Sequence, residues 1–140
     1  RNIVIRNNCF EDLAIGGNGP MPVLMVDPVI PVKGSDFFYH DRIVFSGNQV
    51  STFDSQLVYA RSVRSIEVSN NKFIDSGSYP PLFPGLSAID LQSCGEVKIT
   101  GNDFSQWRKN ATVSLHNCPE VNDDSGLKVV DCPNPYFERR

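Results

Sequence analysis

Three short stretches place polar, chemistry-bearing side chains two residues apart: Tyr59 with Arg61, Asp90 with Gln92, and Ser114 with His116. Apolar residues alternate with them: Val58 and Ala60, Ile89 and Leu91, Val113 and Leu115. Alternation of period two belongs to strands with one buried face, so each polar pair should project from the same side. Aligned, the stretches stack Tyr59, Asp90 and Ser114 in one file and Arg61, Gln92 and His116 in the next. Asp27, which follows the apolar run VLMV, extends the second file. Carboxylate, amide, guanidinium and imidazole groups beside an aromatic ring suit a sugar: hydroxyls take bidentate polar partners, and a ring face takes an aromatic. Three segments are expected to wall this face: 27 to 40 with Phe37, Phe38, Tyr39 and His40; 75 to 87 with Tyr79 and Phe83; and 105 to 110 with Trp107, the only Trp. The substrate-binding candidates are therefore Asp27, Tyr59, Arg61, Asp90, Gln92, His116 and Trp107. The plainer alternative is a solvated strand face that is polar for no further reason.

Catalysis is harder to place. Acid–base cleavage of a glycosidic bond needs two carboxyl groups, ~5 to 5.5 Å apart for retention or ~6.5 to 9.5 Å for inversion. Asp90 is the catalytic candidate, but Asp27 stands two strands and two residues away, so their backbones should lie more than ~10 Å apart. Asp123 and Asp124 are adjacent, and neighbours on a strand face opposite ways; a solvated turn suits them better. Tyr59, Arg61 and Lys98 do not cluster as a lyase site would. None of Cys9, Cys94, Cys118 and Cys132 has CxxC spacing, so no metal is expected, and no cofactor. Cys94 and Cys118 occupy equivalent places, as stacked buried thiols or as a disulfide.

These strands belong to a repeat. A β-branched alternating run, then Asn, one residue and a large apolar residue, recurs as IVIRNNCF (3 to 10), IVFSGNQV (43 to 50), IEVSNNKF (66 to 73) and VKITGNDF (97 to 104). Asn8, Asn48, Asn71 and Asn102 hold the same offset, each preceded by Asn or Gly. A second strand falls between units: VLMVD, LVYARS, AIDLQSC and ATVSLHNC. Units built only of short strands cannot bury their own apolar face, but stacking at ~4.8 Å shares one column of side chains. Asn tolerates the left-handed backbone of a tight turn, and its amide can bond along a ladder. Phe10, Phe73 and Phe104, with Val50 in the remaining unit, are expected to form one internal file. A β-sandwich is the rival, although it gives no reason for Asn at one offset four times.

Composition bounds the rest. With 140 residues, 40% of them hydrophobic, the chain suits one domain with a packed core. The formal charge of -3 argues against a nucleic-acid partner. No run approaches the ~20 apolar residues of a membrane helix. The clusters at 16 to 22 and 79 to 85, rich in Pro and Gly, punctuate as loops. The start at Arg1, reaching an apolar run by Ile3, is expected to be that of a mature or excised piece of something longer.

The repeat resembles the right-handed parallel β-helix of the pectin-lyase-like superfamily, whose Asn ladder follows the second of three sheets. That resemblance implies an all-β solenoid of about four to five coils with little helix. The LVYARS-type strands would be sheet one, the IVIR-type strands sheet two, and the residues around each Phe sheet three. Residues 1–118 would form the coils, and 119–140, ending PNPYFERR, an irregular terminal coil or cap. Within the superfamily, FDSQLVYARSVRSIEVSNNKFIDSGSYPP (53 to 81) is similar to later coils of bacterial α-1,3-galactosidases, with Tyr59, Ala60, Arg61, Ser62 and Val63 matching a phrase that has Lys where this chain has Arg61. The family's Asp-Asp-Ala-type motif has no counterpart here, so the resemblance carries over no catalytic residue. It implies the C-terminal β-helix portion of a secreted glycoside hydrolase acting on terminal galactose or related glycans. Its catalytic aspartates would lie outside this chain, and the protein would be extracellular, periplasmic or on the cell surface. The other expectation is a non-catalytic carbohydrate-binding or structural module of an adhesin or spike. The partner is then an oligosaccharide or polysaccharide, with neither nucleic acid nor membrane. The open first coil is a site for self-association.

Overall fold

The β-branched runs form the longest strands. The computed structural model describes residues 2–12, 22–28 and 38–130. Phe37, Cys132, most of the 16 to 22 cluster and the PNPYFERR end lie outside them. Sheet two runs, in spatial order, through β1 (Asn2–Arg6), β4 (His40–Ser46), β7 (Val63–Ser69), β10 (Glu96–Thr100) and β13 (Glu120–Asp123). Sheet three holds β2 (Cys9–Glu11), β5 (Gln49–Thr52), β8 (Lys72–Asp75) and β11 (Asp103–Gln106). Sheet one holds β3 (Leu24–Val26), β6 (Val58–Arg61), β9 (Ile89–Gln92), β12 (Thr112–His116) and β14 (Lys128–Val130).

Among the described residues there is no helix, and every strand pairing is parallel. Parallel pairing throughout removes the sandwich, whose sheets are antiparallel. The molecule is all-β, with three parallel sheets visited in rotation, an arrangement consistent with a solenoid. Equivalent residues meet across the sheets: Ile3, Ile43, Ile66, Val97 and Val121 form one file. Ile43, Phe45, Ile66, Val68, Val97 and Ile99 from sheet two join Val58, Ala60, Ile89, Leu91 and Val113 from sheet one in a single apolar core.

Two residues link sheet two to sheet three in every complete repeat. The first residue of each link is left-handed: Asn7, Gly47, Asn70 and Gly101 have φ of 59°, 67°, 54° and 66°. The alternation of Asn and Gly has a steric cause. A Cβ on Gly47 would sit 2.6 Å from Asn7 Oδ1, and one on Gly101 would meet Asn70 Oδ1. The second residue is the ladder Asn. Backbone N–H groups of Asn8, Asn48 and Asn71 donate to the side-chain oxygens of Asn48, Asn71 and Asn102 at 2.9, 2.9 and 3.0 Å. The amide nitrogens donate to the same oxygens at 3.2, 3.1 and 3.0 Å. They also donate back to strand carbonyls: Asn48 to Ile5, Asn71 to Phe45 and Asn102 to Val68. Each interior Asn thus satisfies several backbone groups at once.

Two expectations need correction. The file of Phe10, Val50, Phe73 and Phe104 keeps its place but is not a continuous ring stack: Phe73 stacks on Phe104 at 5.0 Å, while Phe10 stacks on Phe45 of sheet two at 6.0 Å. Val50 lies in register between Phe10 and Phe73, too small to bridge them. Within the segment expected to be an irregular terminal coil or cap, residues 120–130 carry regular strands: β13 and β14 extend sheets two and one with Val121 on Val97 and Val129 on Val113.

Candidate functional site

Register builds the polar files on sheet one. Tyr59, Asp90 and Ser114 lie opposite one another, as do Arg61, Gln92 and His116. Leu24 pairs with Val58 and Val26 with Ala60, which carries Asp27 to the level of Arg61. Val58, Ala60, Ile89, Leu91 and Val113 belong to the apolar core, whereas Tyr59 does not, so the polar files occupy the opposite face. Each strand ends in a left-handed residue, Ser62, Ser93 and Asn117, with φ of 60°, 53° and 55°. The sequence reading missed this second column of tight turns. Its only trace is Ser or Asn one residue after each strand, a weaker sign than the Asn-Asn or Gly-Asn link.

Arg61 is the anchor of the site. Its Nη2 donates to Asp27 Oδ1 at 2.8 Å and to the Pro28 carbonyl at 2.9 Å. The guanidinium is therefore aimed by its neighbour, and Asp27 is engaged as its counter-ion rather than poised as a base. Asp90 is different. It is 1% exposed, and burial pushes its carboxyl up to about 6, against the opposing pull of the Gln92 amide and the His116 charge. Gln92 Nε2 approaches Asp90 Oδ1 at 3.5 Å. A carboxyl of that acidity could deliver a proton in mildly acidic solution. On this face the described residues supply no second carboxylate beside it, since Asp27 is two strands away and held by Arg61. Among the described residues no three His, Cys, Asp or Glu groups converge where they could hold a metal ion.

The expected open groove is not what the exposures describe. Tyr59, Asp90 and Ser114 are 0%, 1% and 1% exposed, and Gln92 is buried too. Arg61 is half-buried and His116 exposed, so the second file alone meets solvent. Alternation tells which way a side chain points, but not what packs over it.

Trp107 also departs from expectation. It is 6% exposed and packs with the apolar core instead of walling the sheet-one face. Arg108 beside it carries the exposed side of this corner. Its guanidinium lies 5.0 Å from the Trp107 ring, donates to Asp75 Oδ2 at 3.1 Å and Ser55 Oγ at 3.3 Å, and bonds the Phe53 carbonyl. One side chain thus ties segment 105 to 110 to two other repeats. Segment 75 to 87 folds over the same corner: Tyr79 sets its edge on Phe53 at 5.1 Å, and Phe83 N donates to Asp54 Oδ1. Phe38 lies under the Arg64 guanidinium at 5.1 Å and beside Gly95, toward sheet two. Asp124 accepts from Gly101 N of the preceding repeat, and Asp123 from Ser125 N, as a turn residue does.

No protein-family model and no solved structure matches the chain. Curated proteins do. Alpha-1,3-galactosidase B of Bacteroides thetaiotaomicron is 30% identical over 140 residues, 99% of this chain and 22% of the relative. Alpha-1,3-galactosidase B of Parabacteroides distasonis is 31% identical over 108 residues, 76% of this chain and 18% of the relative. Alpha-1,3-galactosidase A of Bacteroides fragilis is 22% identical over 117 residues, 84% and 19% of the two chains. The chain therefore spans about a fifth of the length of the relatives it matches, and nearly all of it is similar to proteins named α-1,3-galactosidase.

Proposed function

We propose that this chain is part of the right-handed, pectin-lyase-like β-helix of a glycoside hydrolase that acts on terminal galactose or related glycans outside the cytoplasm. The observation that carries the proposal is the similarity to an α-1,3-galactosidase B along 99% of the chain. The three parallel sheets and the hydrogen-bonded Asn file fit such a helix. In this reading Arg61, fixed by Asp27, and His116 offer donors to sugar hydroxyls. Gln92 lies between them and the buried Asp90. Bond cleavage is assigned to aspartates outside these 140 residues, because among the described residues this face offers no second carboxylate beside Asp90.

The closing over of Tyr59, Asp90 and Ser114 favours a second reading, a non-catalytic carbohydrate-binding or structural module. Kinetics on α-1,3-galactosyl oligosaccharides distinguish them. The 140-residue chain alone should show no turnover, and the complete reading frame should hydrolyse the substrate. In that longer protein Arg61→Ala should raise KM about tenfold, the equivalent of ~1.4 kcal/mol of binding. Wild-type kinetics for Arg61→Ala would remove the file from substrate binding. Turnover by the isolated chain that Asp90→Asn abolishes would put the chemistry here.

A further inference from the structure

Cys94, a member of the apolar core, and Cys118, packed against it, take no part in the polar files. Each lies two residues beyond the facing pair Gln92 and His116, and two before the facing pair Glu96 and Glu120. Equal spacing between two registered pairs sets Cys94 opposite Cys118. The turn between keeps that register: Ser93 and Asn117 share the left-handed conformation, and Asn117 Nδ2 reaches Ser93 Oγ at 3.4 Å. Neighbouring parallel strands stand ~4.8 Å apart, inside the ~4.4 to 6.8 Å Cα range of disulfides. Both thiols are free, and each lies within donating distance of main-chain carbonyls: Cys94 Sγ of Gln92 O at 3.6 Å, and Cys118 Sγ of Leu91 O at 3.6 Å and His116 O at 3.5 Å. Cys94 is fully buried, while Cys118 is partly open to solvent.

We propose that Cys94 and Cys118 are a thiol–disulfide pair, oxidised by exchange with a small-molecule disulfide, which staples two adjacent repeats at the turn from sheet one to sheet two. Cys118 is the attacking sulfur. The Cys94 thiol beside it holds the Cys118 pKa below the ordinary thiol range, with burial opposing, which favours its thiolate. Its sulfur bonds one sulfur of the small disulfide, whose S–S bond breaks; the departing half takes a proton from solvent. Cys94 then releases its proton and attacks Cys118 Sγ, expelling the second half as a thiol. Two protein thiols lose two electrons, and one small disulfide becomes two thiols. Cys94 is pushed up first by the Cys118 thiol beside it, then by burial and by the Cys118 charge. Capping Cys118 in the first step removes the first and last of these causes, so the second step is easier than the resting state suggests.

The test uses the 140-residue chain with glutathione disulfide or with reduced glutathione, followed by alkylation and peptide mapping. Oxidised protein should yield a Cys94–Cys118 cross-linked peptide that dithiothreitol reverses, an alkylated Cys9 and a raised Tm. Cys94→Ser should stop at a persistent glutathione adduct on Cys118, and Cys118→Ser should leave Cys94 unmodified. The pairing is overturned if wild-type protein accumulates the Cys118 adduct, joins Cys118 to Cys9 or Cys132, or leaves both thiols unreacted.

Discussion

At the scale of single residues, Asp90 carries the clearest electrostatic consequence. Its value of about 6 lies above the ordinary 3.8 because burial disfavours the charged form. Between those values the native state holds a proton that the unfolded chain has lost. The stability carried by that proton is complete below about pH 4 and is lost as pH rises through about 6. Chemical denaturation of wild-type protein should therefore give a stability that falls across this window. Asp90→Asn should flatten that dependence and gain up to about 3 kcal/mol at pH 7, each pKa unit being worth ~1.36 kcal/mol. Parallel pH curves for the two proteins would mean that Asp90 is solvated in solution. Arg61 and Asp27 contribute less to such an experiment, since a half-exposed ion pair is worth roughly 0 to 1 kcal/mol.

At the scale of elements, what the sequence made legible and what it hid have separate physical causes. Strand identity and register were legible, because period two and a fixed Asn offset allow few alignments: Val58 falls on Ile89, and Ile43 on Ile66. The Arg61 and Asp27 level followed from the same count. Hidden were the burial of Tyr59 and Asp90, the inward turn of Trp107 and the grip of Arg108 on Asp75, none of which period two encodes. β13 was hidden because EVNDDSG has lost the β-branched alternation and, counted from Val121 opposite Val97, puts Gly126 in place of a ladder Asn. The ladder itself gives a graded test. Asn71, itself buried, accepts from Asn48 and donates to Phe45 O and Asn102 Oδ1. Asn71→Leu strands these groups and should cost about 3 kcal/mol. Asn8 is exposed and contacts the ladder on one side only, so Asn8→Leu should cost under ~1 kcal/mol. Equal losses in urea melts would show that the ladder does not carry stability rung by rung.

At the scale of the whole molecule, each strand bonds only to its neighbours in a sheet, so stability is a sum of repeats and the contacts between adjacent ones. The inward file of sheet two shows the gradient. Ile43, Ile66 and Val97 are 2%, 1% and 3% exposed, while Ile3 and Val121 at its ends are 45% and 41% exposed. The same residue type in one file therefore has different energetic weight depending on whether a strand covers it from both sides. Ile66→Ala removes fully buried methyl groups between two strands and should cost about 2 to 5 kcal/mol. Ile3→Ala removes groups already half in water, and at ~25 cal/mol per Å² of buried apolar area should cost under ~1 kcal/mol. Hydrogen exchange should follow the same order, with β7 and β9 amides opening only on global unfolding and β1 amides opening locally. If Ile3→Ala and Ile66→Ala melt alike, or if β1 is protected as strongly as β7, another surface must cover β1 in solution, and the gradient belongs to the isolated chain alone.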